Sequence, residues 1–349
     1  MKINILVSVY NISGYMMAGI AELLKRGCDV AIIERTCKYS KVAHEEFPQI
    51  KWIDRRSLKK DADVRSALNG WTPTTILSFG WFDKLICRVV KYFHNCGATT
   101  IVGVDNPWEG KLRQICHCMI SRFYLTRLFD YGWGSGAPQV KYLRLLGFSK
   151  DRVRSGFYAA DTEKFACMFN PDRKHCPHRF VYVGRYVADK NMRRMERAFI
   201  KALADMPDSD WSLVCIGGGE LWDERTIHTR IEHLGYKPPS ELQNYIKDSG
   251  CFVMPSVVEH WGVVVHEFAL MGLPMICSKN VMAATAFVCE GENGFLFDPL
   301  NEDDIAKAFS KIMQLEDDSL LRMGIRSHEL GMSHTTSDWV NILFGFERG

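Results

Sequence analysis

Short apolar runs that end in glycine, proline or aspartate recur along this chain, and stretches of helical spacing separate them. Ile3–Val9, Asp29–Glu34, Ile50–Ile53, Thr74–Phe79 and Thr99–Val104 read as strands. Between and after them, Gly14–Arg26 (Met17, Ile20, Leu23, Leu24), Asp83 to about Phe93, Lys111–Phe123 and Pro138–Leu146 read as helices. A strand that is apolar at successive positions needs cover on both faces, and alternating helices supply it by winding a parallel sheet. The pattern restarts at Phe180–Val183 and runs through Trp211–Ile216, Cys251–Met254 and Met275–Ser278. Its expected helices lie near Thr226–Leu234, after a cap at Ser240, up to Gly272, from Asp303 onward, and over Ser337–Phe346. At 349 residues two cores are expected. The polar, proline-broken Met168–His178 reads as the linker, giving a first domain over 1–168, a second over 179–335, and a helix in 336–349 that can pack back on the first.

Charge is unevenly divided. Residues 1–170 hold 25 Lys and Arg against 15 Asp and Glu, the rest 19 against 26, so +10 and −7 sum to +3. A basic half points to an anionic partner. No nucleic-acid motif accompanies it, so nucleic acid is not expected; a membrane surface or an anionic lipid-linked substrate fits better. Two stretches, Lys84–Tyr92 and Lys111–Arg127, mix cations with apolar residues, and each reads either as a core helix with a solvated basic face or as a surface for lipid headgroups. No run of about eighteen apolar residues is present. The first residues turn polar after Tyr10, unlike a secretory leader, and the twelve cysteines are irregularly spaced, as in reduced cytoplasmic proteins. A cytoplasmic protein, able to sit at the inner face of the membrane, is the expectation. Cys116-His117-Cys118 and His175-Cys176-Pro177-His178 lack a CxxC pair, so no metal is expected.

The densest chemistry lies in Met254–Pro274, where a strand turns at Pro255-Ser256 and passes Glu259-His260-Trp261-Gly262 into a helix. The first amides of a helix lack intrahelical partners and suit a phosphate. Two carboxylates, Glu259 and Glu267, stand with seven residues between them. Earlier, Gly184-Arg185 follows a strand and Lys190 comes five residues later, two cations suited to a diphosphate. Gly217-Gly218-Gly219 ends another strand, where missing side chains let backbone approach a ligand. It is not a GxGxxG, so a nicotinamide site is not expected. Asp105 ends Thr99–Val104, either facing a ligand or tying an Asp-Asn-Pro turn.

Together, Gly184-Arg185, Lys190 and the E-x7-E element of Glu259 and Glu267 resemble the retaining GT-B glycosyltransferases of the GT4 family, firmly over about residues 180–300. The resemblance implies an α/β GT-B fold, two Rossmann-like domains facing a cleft. It implies sugar transfer from a UDP- or GDP-sugar to the hydroxyl of a carbohydrate or lipid-linked acceptor, with retained anomeric configuration, in polysaccharide, lipopolysaccharide or glycolipid synthesis. In that pattern Arg185 and Lys190 grip the donor diphosphate, with the amides of Trp261, Gly262 and Val263. Glu267 takes the ribose, Glu259 approaches the sugar, Tyr236 and Lys237 lie by the nucleobase, and Gly217, Gly218 and Gly14 form glycine loops. No cofactor beyond the donor is implied. Outside the resemblance, Glu267 also reads as a structural carboxylate and Trp261 as packing. The chain departs from the family at the first loop, where only Gly14 remains of a glycine pair. It departs again at Asp105, where a histidine is usual, and at Asn280–Thr285, where glycines and a glutamate are usual. Three rivals stay open: a nucleotide-sugar-binding regulatory or partner subunit without catalysis, an epimerase on the same fold, and a metal-dependent transferase using Asp61/Asp63 or Asp208/Asp210.

Overall fold

The computed structural model of the chain describes residues 3–35, 44–238 and 241–346. In chain order, β1 (Asn4–Val9), α1 (Gly14–Lys25), β2 (Asp29–Glu34) and β3 (Lys51–Asp54) come first. They are followed by α2 (Asp61–Leu68), β4 (Thr75–Phe79), α3 (Lys84–Asn95), β5 (Thr99–Val104) and α4 (Leu112–Leu128). Then come β6 (Tyr131–Gly134), α5 (Ala137–Leu145), β7 (Val153–Arg154) and α6 (Thr162–Ala166). A second series holds β8 (Arg179–Val183), α7 (Met192–Asp205), β9 (Ser212–Ile216), β10 (Ile231–Gly235), α8 (Leu242–Ile246) and β11 (Cys251–Met254). It continues with α9 (Val263–Leu270), β12 (Met275–Ser278), α10 (Ala284–Phe287), β13 (Gly294–Phe297), α11 (Glu302–Met313) and α12 (Asp317–Met332), and α13 (Thr336–Gly345) closes the chain.

Two compact units result: residues 1–161 with 334–349, and residues 162–333. The first has a seven-stranded sheet in the order β3-β2-β1-β4-β5-β6-β7, the second a six-stranded sheet in the order β10-β9-β8-β11-β12-β13. All of their named strand pairs are parallel. This is the doubly wound α/β architecture that the alternation of runs implies. Strands buried on both faces account for the uninterrupted apolar runs: every residue of β11 and β12 is buried.

In the first unit, aromatic residues lock the last helix to the sheet. Trp133 of β6 stacks on Trp339 of α13 at 5.1 Å, and the Trp339 indole donates to the Phe157 carbonyl at 2.8 Å. Gly103 of β5 leaves the space that Phe157 fills, since a Cβ there would lie 1.9 Å from its ring. In the second unit Phe180, Phe199, Trp211 and Phe309 pack edge to face or tilted around β8, with Phe180 and Phe309 4.8 Å apart.

Several expectations change. Thr226–Leu234 is not helical: Ile231–Gly235 is edge strand β10, paired with β9, and residues 226–230 are irregular. The helix-like spacing of Ile227, Ile231 and Leu234 misleads because Ile227 is 80% exposed while Ile231 is buried. Asp61-Ala62-Asp63 is not a loop but the first turn of α2; there the Asp63 carboxylate accepts from the Lys59 and Lys60 amides and Asp61 pairs with Arg65. Met168–His178 lies inside the second unit: Phe169 stacks on His328, Arg173 donates to the Ser249 and Lys247 carbonyls, and Cys176 is buried in the core. The expected cap at Ser240 falls outside the described residues; the following helix runs from Leu242.

Trp339→Ala removes a buried indole together with its hydrogen bond, and is expected to lower the unfolding free energy by about 3–5 kcal/mol in urea denaturation.

Candidate functional site

A sheet whose strand order reverses leaves a crevice outside the carboxyl ends of the two strands where it reverses. In the second unit the reversal falls between β8 and β11, and the loops that follow these strands carry Arg185, Lys190 and Glu259. The loop after β8 ends in a single turn, Ala188–Lys190, and then Asn191 in the left-handed conformation (φ 57°). The Asn191 side-chain amide donates to the carbonyls of Pro255 (3.1 Å) and Pro299 (2.7 Å), tying this loop to the one after β11.

The Lys190 ammonium is paired with the Glu259 carboxylate, and both side chains are mostly buried, at 15% and 17% exposure. Arg185 is exposed and has no ion-pair partner among the described residues. The loop that carries Glu259 is held from the other side by the segment after β12. There Asn280 donates to the Val257 carbonyl, Met282 N–H to Glu259 O, and Ala283 N–H to Trp261 O. The residues that depart from the family pattern, Asn280–Thr285, thus fix the position of Glu259 and Trp261.

Gly262 (φ 93°) precedes α9 and no side chain caps it, so the helix presents its first amides without a protein side-chain acceptor. Trp261 is buried, and neither its indole N–H nor the Ser256 hydroxyl of the same loop has a hydrogen-bond partner among the described residues. Glu267 stands one turn into α9, half-buried.

The glycine run after β9 has a different first task from the one expected. Gly217 (φ 146°) packs on the Gly184 carbonyl, 1.8 Å from where a Cβ would be, and Gly219 packs on the Tyr186 carbonyl. Backbone bonds Tyr186 N–H to Gly218 O and Leu221 N–H to Tyr186 O zip the two loops together. Of the three, only Gly218 keeps open space; a Cβ there would meet nothing nearer than Tyr236, at 4.0 Å. Tyr236 is exposed beside it, and Lys237 lies over the Tyr245 ring at 4.6 Å.

Beneath these loops, the Tyr186 hydroxyl meets His233 Nδ1 at 2.9 Å while His233 Nε2 meets the Thr226 carbonyl at 2.9 Å. A carbonyl only accepts, so Nε2 donates to Thr226. Burial pushes the Tyr186 phenol far above its ordinary range, so it stays a donor.

In the first unit the order reverses between β1 and β4, and a cavity of about 500 Å³ opens there. Asp105, at the end of β5, lines it. The Tyr158 hydroxyl is 3.4 Å from the Asp105 carboxylate, and Gln139 donates to the Asp105 carbonyl at 2.9 Å. Asp105 therefore belongs to a cavity wall. Asp83, also in the wall, caps α3 and accepts both arms of the Arg55 guanidinium at 2.6 and 2.8 Å, which holds its carboxyl below the usual range against the opposing effect of burial. Gly14 opens α1 with nothing within 4 Å of a would-be Cβ, so packing does not require glycine there.

Residues 168–329 match the family described as "Glycosyl transferases group 1". A D-inositol 3-phosphate glycosyltransferase of Corynebacterium glutamicum (strain R) is 28% identical over 156 residues, 41% of this chain and 37% of that protein. The O-antigen chain mannosyltransferase B of Escherichia coli is 33% identical over 148 residues, 40% of this chain and 37% of that protein. The chain thus spans 37% of the length of either relative. The structure of Anabaena HepE in complex with UDP and glucose superposes with a TM-score of 0.69 at 12% identity, covering 98% of each chain.

Gly217→Ala would press a methyl group into the Gly184 carbonyl at a backbone angle that side chains rarely adopt. The expected cost is about 3 kcal/mol or more in unfolding free energy, whereas Gly218→Ala, with open space, is expected within about 1 kcal/mol of the parent.

Proposed function

We propose, from the match of residues 168–329 to the group 1 glycosyl transferases and from the GT-B fold, that the chain is a retaining glycosyltransferase. It would take a sugar from a UDP- or GDP-sugar held by the second unit and pass it to an acceptor hydroxyl. The observation that carries this reading is the set of groups at the β8/β11 reversal: exposed Arg185, the Lys190–Glu259 pair and the uncapped start of α9. All three suit a diphosphate that gains charge as the glycosidic bond breaks.

In this reading Arg185 and the amides of Gly262 and Val263 hold the departing diphosphate. Lys190 has three donor protons, so it can keep Glu259 while it turns another towards a phosphate oxygen. Glu259, fixed by that pair and by the Val281 segment, sits where it can accept from a sugar hydroxyl, and Glu267 is assigned to the ribose. From the sequence, no second carboxylate can be paired with Glu259 or Glu267 as the nucleophile and acid/base couple of a retaining hydrolase. Retention is therefore assigned to attack on the face the diphosphate leaves. The acceptor oxygen bonds to the anomeric carbon, the carbon–oxygen bond to phosphate breaks, and the acceptor proton passes to the departing phosphate. Tyr236 and Lys237 are assigned to the nucleobase side. The acceptor, a carbohydrate or a lipid-linked sugar, is assigned to the cavity of the first unit, where Asp105 accepts from its hydroxyl. The O-antigen and inositol-phosphate transferases among the relatives support a place in polysaccharide or glycolipid synthesis, and the UDP and glucose held by HepE support the donor class.

Arg185→Ala tests the donor grip cleanly, because an exposed, unpaired side chain contributes little to stability. Its kcat/KM with a nucleotide-sugar panel is expected to fall by about 3 kcal/mol at unchanged melting temperature. The wild-type rate is expected to survive EDTA; loss in EDTA with recovery in manganese would point to metal-assisted transfer instead. Turnover near wild type in the Arg185 variant would sink the donor assignment.

Asp105→Asn is expected to lower transfer at least about tenfold while nucleotide affinity stays within about twofold, because Asp105 lines the cavity of the other unit. Equal losses in both, or a large drop in melting temperature, would show instead that Asp105 holds the chain together.

A further inference from the structure

Of the two basic, apolar helices, only one leaves its apolar residues in water. In α3, Leu85, Ile86, Val89, Val90 and Phe93 are all buried, so its cations form an ordinary solvated face. In α4 the buried residues are Ser121 and Leu125 alone. Its outer side exposes Leu112 (76%), Met119 (60%), Ile120 (60%) and Phe123 (66%), with Ile115 beside them. Sixteen large hydrophobic residues are exposed among those described, and six of them lie on this one helix. Scattered singly they would need no explanation, but a contiguous stripe does.

The spacing is regular. Leu112, Cys116, Met119 and Phe123 follow one another at three or four residues and so share a line along the helix. Ile115 and Ile120 flank that line, and beyond them Arg113 and Arg122, both exposed, edge the stripe on opposite sides. No carboxylate occurs between Glu109 and Asp130. An apolar stripe with an arginine at each edge, free of acidic residues, complements an anionic bilayer: the stripe enters the acyl boundary and the guanidinium groups reach phosphates at its edge. We propose that the outer face of α4 docks this protein on an anionic lipid surface, lying in the plane of the interface.

Two other occupants fit less well. No helix of the described residues is long and apolar enough to cross a membrane, so α4 lies on a bilayer and does not span it. A second copy using the same face would bring Arg113, Arg122 and Arg127 against their own counterparts with no carboxylate of this helix to pair them. The face also continues into the cavity of the first unit. Tyr124 of α4 lies beside Trp81, which stacks on exposed Phe82 at 5.2 Å, and both of these aromatics line the cavity that holds Asp105. Lipid docking is read without donor or acceptor, so it stands or falls apart from the glycosyl-transfer reading.

The experiment is co-sedimentation of the full chain with phosphatidylcholine vesicles, with and without an equal share of phosphatidylglycerol. Binding to the mixed vesicles at low salt is expected, and at least about tenfold weaker binding to phosphatidylcholine alone or in about 0.5 M salt. The double variant Met119→Ser/Phe123→Ser should bind at least roughly tenfold more weakly at unchanged melting temperature, since both side chains are already in water. Arg113→Gln/Arg122→Gln should lose a similar factor on the anionic vesicles only. Wild-type protein that stays in the supernatant with anionic vesicles at low salt overturns the proposal, as does undiminished binding of the serine variant. Light scattering that shows a dimer dissolved by the serine substitutions would assign the face to a second copy instead.

Discussion

Arg185, Lys190, Glu259, Asp83 and Asp105 owe their placement to one constraint: consecutive parallel strands need right-handed crossovers, and a sheet wound first one way and then the other must reverse once. Where it reverses, the loops after two neighbouring strands part, and no helix covers the gap. In the first unit this falls between β1 and β4 and gives a cavity walled by Asp83 and Asp105. In the second it falls between β8 and β11 and gathers Arg185 and Lys190 with Glu259, which lies 69 residues beyond Lys190. The chemistry is distributed along the chain but not in space.

The two cations at the second reversal are prepared differently. Arg185 stands in solvent with its charge unopposed, whereas Lys190 is neutralised in advance by Glu259, both largely buried. A buried charge is tolerable only with a partner, so each of the pair holds the other in place. Around them the loops are fixed largely through backbone atoms: glycine against glycine between the β8 and β9 loops, and carbonyls that accept from the Asn191 and Asn280 side chains and from the Met282 and Ala283 N–H groups elsewhere. Such a frame leaves little to reorganise when an anion arrives.

Much of this could be read in the sequence wherever burial is complete. Asp29–Glu34, Thr99–Val104, Cys251–Met254 and Met275–Ser278 begin and end as strands where their apolar runs do, because both faces are covered. Strand β6 escaped notice because two of its four residues are glycines, which α5 requires: a Cβ on Gly132 would lie 2.6 Å from Leu143. Edge strand β10 has one partner only and kept a helix-like period, and the acidic start of α2 resembled a loop. Arg185, Lys190, Glu259 and Asp105 were legible because each follows a strand. Their supports Tyr158, Asn191 and Asn280 were not, since a hydrogen bond across tens of residues has no local signature.

The first unit is built from two separated pieces of chain, with the whole of the second unit threaded between them. During vectorial synthesis the ribosome delivers β1 to β7 first and α13 last. Trp133 and Phe157 therefore have to wait, without their indole partner, while some 170 residues of another core are made. The sheet that begins first is finished last. The second unit, continuous from residue 162 to 333, has all its strands before the first can close. Until then Gly19 and the flank of β6 lack the Trp339 ring that packs on them in the finished unit. That interval is when a nascent chain of this kind most needs shielding from its neighbours.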